Sequence, residues 1–91
     1  MHKTFKEWKD ALQKEHNKLA AIGDMGRRSL VLTFLYLADW SNSAADVVEW
    51  IDGKHELAED HLANLQRPDA EPIILEIRRI ADAEAKGNGA A

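Results

Sequence analysis

His55-Glu56 followed by His61 offers the residue types of a zinc-peptidase helix, where two histidines one turn apart hold the metal and a glutamate activates water. The spacing is wrong for that chemistry, because six residues turn a helix through about 600° and leave the two rings on different faces. His55 and Glu59 do share a face, but two exposed ligands do not make a site. No metal and no cofactor are therefore expected, and these side chains read as solvated surface. His16 falls within the apolar stripe of the first helix and is expected as a satisfied histidine at the core edge. Acid pairs such as Glu59-Asp60 have no apolar pocket beside them to perturb their titration. The 91 residues include no cysteine, which removes thiol nucleophiles, thiolate metal sites and disulfides. No glycine-rich loop follows a strand, so no phosphate cradle is expected either. The chain is not read as an enzyme.

The charge distribution points to binding instead. The net charge of −4 hides a split: residues 1–28 hold seven bases and four acids, and the remainder five bases and twelve acids. Between Asp39 and Asp60 stand seven acids (Asp39, Asp46, Glu49, Asp52, Glu56, Glu59, Asp60) and one base, Lys54. A basic end attracts polyphosphate and an acidic middle repels it. The longest apolar run, Leu30–Ala38, spans nine residues and contains Thr33. That is far below the roughly 20 residues that cross a bilayer. The opening MHKTFKEWKD lacks the apolar run of a secretion signal, so a cytoplasmic chain without membrane contact is expected.

The elements that must position these groups are helices. Apolar residues recur at threes and fours, and no strand-like alternation occurs, which predicts an all-α, five-helix compact domain over 1–86 with a frayed tail over 87–91. Thr4 and Glu7 have the form of a capping box opening a helix over about 4–22, with Phe5, Trp8, Leu12, Leu19 and Ile22 as its buried stripe. Gly23-Asp24-Met25-Gly26 breaks it. A second helix, about Arg27–Trp40, is apolar nearly all round and belongs in the middle of the bundle. Ser43 is a good N-cap for a short third helix ending at Asp52, before Gly53. A fourth is expected over Glu56–Gln66 with Leu57, Leu62 and Leu65 inward. A fifth runs over about Ala70–Lys86, with Pro72 in its first turn. Trp8 and Trp50 have inward roles, which leaves Trp40, beside a polar turn, as the tryptophan expected at the surface.

Read from Ser43, the chain runs Ser, three residues, Val47, two residues, Trp50, two residues, Gly53-Lys54, then Leu57, Leu62 and Leu65. This resembles the helix-turn-helix of the Cro and phage-repressor superfamily over about 23 residues of SAADVVEWIDGK-HELAEDHLANL. The resemblance implies a DNA-binding transcription regulator of phage or prophage type. Val47, Val48 and Ile51 would anchor the third helix on the second, and Trp50 would wedge its far end. Ser43, Ala44, Ala45 and Glu49 would face base edges of double-stranded DNA, and Lys54 would hold phosphate. Arg27 and Arg28 stand at the second helix's start, where they can meet the backbone. Three departures accompany the match. Tyr36-Leu37 occupies the sites where the family carries Leu-Ala, Ser41 stands at the position of the turn glycine, and the reading face offers alanines and a glutamate instead of glutamine, asparagine or arginine.

In the last helix, Ile73, Ile77, Ile80 and Ala81 form one face, and Ile74 and Leu75 widen it sideways. This is either one broad core-facing surface or a partner surface including Ile74, Leu75 and Arg78, which would support a homodimer with two reading heads. The acidic belt supports a different class of function: a small acidic protein-binding module, such as a phage-type inhibitor or nucleic-acid mimic, that meets a basic host protein and binds no DNA.

Overall fold

The computed structural model describes residues 2–90, with side chains described as far as Gly87. Local signals set most of the helix ends. The Thr4 hydroxyl accepts from the Glu7 N–H, and the Glu7 carboxylate accepts from the N–H groups of Thr4 and Lys3, all at 3.1 Å. The Lys3 N–H, foremost, holds the Glu7 carboxyl below its ordinary titration range. From this box α1 (Phe5–Ile22) runs with Trp8, Leu12 and Leu19 buried, and Gly23, at φ 77°, ends it. Asp24 caps α2 (Met25–Asp39) by accepting from the Arg27 N–H at 3.2 Å. So short a link lays α2 back along α1 as a helical hairpin, tied at its open end by Lys9 to Asp39 at 2.9 Å.

Ser43 caps α3 (Ala44–Ile51) through the Asp46 N–H, and the Asp46 carboxylate in turn accepts from the Asn42 N–H. Gly53, at φ 83°, turns the chain sharply after α3. Next come α4 (Glu59–Leu65), a 3₁₀ turn at Pro68–Ala70 and α5 (Glu71–Ala90). The fold is all-α, with five α-helices and no strand among the described residues. The fifth helix continues to Ala90 instead of ending near Lys86, so residues 87–90 of the tail expected to fray lie within it, and Ala91 lies outside the described residues.

The core forms where α2 packs on α1 and α4 and, through α3, meets the α3–α5 pair. Phe34, Leu37, Ala38, Val47, Ile77 and Ile80 have no exposed surface, and the Phe34 ring meets Trp8 edge-on at 6.3 Å. Four expectations require correction. Ile22 lies in the last turn of α1, beyond the reach of the core, and is 66% exposed. The fourth helix starts at Glu59, not Glu56, because Ala58 precedes it with no side-chain cap, and Leu57 reaches the core from the connecting segment. Leu62 is one residue round from His61, which faces α2, and so points outward at 42% exposure. Finally, α3 packs mainly on the isoleucine face of α5 and only lightly on α2, so its main anchor is not the helix that precedes it.

Candidate protein-interaction face

Of the residues expected to read DNA, Ala45 and Glu49 lie one turn apart on α3 with Lys54 just beyond, while the others are placed differently. Ser43 spends its hydroxyl on the helix cap. Ala44 is fully buried and has no surface to offer a base, which removes it from the set. Ala45 is exposed, while Glu49 is half-buried with its carboxylate 3.5 Å from the His55 Nε2. Lys54 is exposed just past Gly53. Arg27 and Arg28 lie in the first turn of α2, and the turn into α3 leaves its other end. About 18 Å of helix therefore separates these bases from the turn, at 1.5 Å per residue.

The residues expected at a protein interface also divide. Ile74 is half-buried against the core and Leu75 is 57% exposed. Arg78 is committed within the chain: it donates to both carboxylate oxygens of Asp52, at 2.6 and 3.3 Å, and pins the end of α3 to α5. Arg78 holds the Asp52 carboxyl below the ordinary aspartate range, and Asp52 raises the guanidinium in return. A depressed carboxyl contributes stability above its unfolded-state pKa, and the contribution is lost as pH falls through the lower folded-state value. Asp52→Asn should therefore lower stability at neutral pH and reduce its loss below about pH 4. With both side chains 41% exposed, solvent limits the effect to at most about 1 kcal/mol, which denaturant melts at pH 7 and pH 3 would resolve.

A different group of side chains does converge. Tyr36, in the last turn of α2, and Trp40, the residue that caps its C-terminus, stack with ring centroids 5.9 Å apart and planes 10° from parallel. Trp50, at the end of α3, leans against Trp40 at 5.2 Å, and His55 lies on Trp50 at 4.5 Å. From α4, His61 meets Tyr36 and Trp40 edge-on, at 5.3 and 6.4 Å. Trp50 is thus half-buried beside the glycine corner, but Trp40 keeps 54% of its surface and Tyr36 39%. Exposure of Trp40 agrees with its position beside a polar turn. Tyr36 was hidden by the apolar character of α2 all round, although its spacing from Trp40 is the signal for a stacked pair.

A polar clamp fixes this group from beneath. The Asn64 amide donates to the Thr33 Oγ1 at 2.9 Å and to the Ser29 carbonyl at 3.2 Å. The Thr33 Oγ1 lies 2.8 Å from the His61 Nδ1. Thr33 thus joins the His61 ring to the Asn64 amide through one hydroxyl. Thr33 is 1% exposed, while Asn64 and His61 are half-buried and Ser29 is exposed, so the clamp is closed at its Thr33 end and open at its Ser29 end.

No family model matches the chain, and no curated protein or solved structure matches it. Among the described residues no cluster of three or more acids or histidines could hold a metal, and no helix is long and apolar enough to cross a membrane. A groove of about 480 Å³ between α1, α2 and α5 has an apolar floor that includes Trp8, Leu12 and Ile73. Two of its rim charges are taken, Glu76 by His2 at 2.6 Å and Asp69 by Arg67 at 2.8 Å. The aromatic group is the more distinctive surface: a rigid apolar face set within the most acidic stretch of the chain.

Proposed function

We propose that this protein is a small acidic helical protein-binding module that presents the Tyr36–Trp40 face to a basic surface on a partner protein. The observation that carries this reading is the stacked Tyr36–Trp40 pair, open to solvent at 39% and 54%, with Leu62 beside His61 at 42%. Large aromatic side chains left in water on a rigid support are the kind of anchor that dominates protein interfaces. Lys9 answers Asp39, but Glu59 and Asp60, which precede His61, have no ion pair among the described residues, and a net charge of −4 favours a basic partner.

A DNA-binding regulator of Cro type is the second reading, favoured by the Ser43-capped α3 that ends at the Gly53 corner. Its electrostatics are poor, since Asp46, Glu49 and Asp52 lie along α3 itself. A nuclear magnetic resonance titration separates the two. A mixed arginine–lysine peptide should shift the Trp40 indole N–H and the Tyr36 and Leu62 amides saturably, with the buried Trp8 indole as an unmoved control. Mixed-sequence duplex DNA at low salt should shift nothing. Shifts with DNA centred on Ala45, Glu49 and Lys54, and none with the peptide, would replace this proposal by the DNA-binding one.

A further inference from the structure

Building on the protein-binding reading, we infer that the Tyr36–Trp40 pair is the seat of an arginine side chain of the partner, whose guanidinium lies flat on the exposed indole. The two rings are nearly parallel with centroids 5.9 Å apart, so Tyr36 braces the indole, and Trp40 still keeps 54% of its surface in water for a planar ligand. Trp50, tilted at 46°, and His61, close to perpendicular, flank the indole and restrict how a ligand can approach it. A planar cation matches a flat electron-rich face. Guanidinium is weakly hydrated and stacks on aromatic planes, whereas ammonium is a compact, strongly hydrated point charge. The fork of N–H donors left at the guanidinium edge needs carboxylates, and the stretch from Asp39 to Asp60 supplies seven against one lysine. Of these, Asp39 is engaged by Lys9, Asp52 by Arg78 and Glu49 by His55, which leaves Asp46, Glu56, Glu59 and Asp60 without an ion pair among the described residues. An aromatic platform can also stack the bases of single-stranded nucleic acid, but those phosphates would meet the same carboxylates, and repulsion disfavours that occupant.

The test uses the full chain and three probes: a glycine–arginine peptide, the same peptide with lysine for arginine, and a single-stranded oligonucleotide. Binding is read at the Trp40 indole N–H, with the Trp8 indole reporting that the fold is intact. The arginine peptide should bind about fivefold more tightly than the lysine peptide, and Trp40→Ala should weaken it about tenfold. Trp40→Phe, which keeps a flat ring at the position, should retain most of the affinity. Equal affinity for the two peptides, or arginine binding unaffected by Trp40→Ala in a chain whose Trp8 signal is unchanged, overturns the arginine seat. If the peptides still shift Trp40, the protein-binding reading survives that result. Silence of the whole face toward both peptides defeats both ideas, and tighter binding of the oligonucleotide replaces arginine with a stacked base.

Discussion

Replacing Phe34 with alanine is expected to destabilise the protein by about 3–5 kcal/mol, a large share of what a domain of this size has to lose. The ring has no exposed surface and meets Trp8 edge-on, in the middle of the helix that packs on α1 and α4. Removing it takes away a large apolar surface and leaves a void that surrounding helices can close only by abandoning their own contacts. A small domain has few residues over which to spread such a defect. The measurement is urea unfolding followed by circular dichroism, in which the midpoint should fall with little change in slope. Leu75→Ala is the companion variant: that side chain is 57% exposed, and its loss should move the midpoint very little. A Phe34→Ala protein as stable as the parent would mean that α2 is not the centre of the core.

The parts of this fold legible in the sequence are those governed by neighbours along the chain. Thr4 with Glu7, Ser43 and Gly53 each act within a few residues, and each does in the structure what its type and spacing predict. What could not be read locally was which helix covers which. The burial of Ala44 follows from how α3 beds into the bundle, mainly against α5, and no pattern within Ser43–Gly53 specifies that packing. Ile22 keeps the helical spacing of its stripe, but the stripe outruns the core. The same limit hid the candidate site. An α2 that is apolar all round reads as covered all round, yet the helix beside Tyr36 and Trp40 is the seven-residue α4, which has no side-chain cap and buries no residue completely. A short cover over a wide apolar face leaves part of that face in water. The His61 contribution was hidden for a related reason: its partner Thr33 lies 28 residues away, so its role depends on tertiary packing.

Thr33→Val is accordingly expected to do more than remove one hydroxyl. Valine has nearly the same shape, so the core should stay filled, but the His61 Nδ1 and the Asn64 amide each lose a hydrogen-bond partner in a partly buried site. Leaving buried groups without partners costs roughly 1–3 kcal/mol, and partial access of water puts this site at the lower end. The loss should fall locally, because α4 has few other fastenings: the Asn64 bonds to Ser29, partial burial of Leu65, and the preceding Leu57. Hydrogen exchange of the α4 amides should accelerate well before that of α2, and Trp40 emission should shift red as His61 releases its edge. Thr33→Ser restores the hydroxyl without the methyl and should recover most of the α4 protection. Equal loss of protection in α2 and α4 would show that the hydroxyl serves global stability only. Selective loss in α4 would tie the aromatic face to the clamp, and the variant should then also lose affinity for the arginine peptide although no residue of the face has been changed.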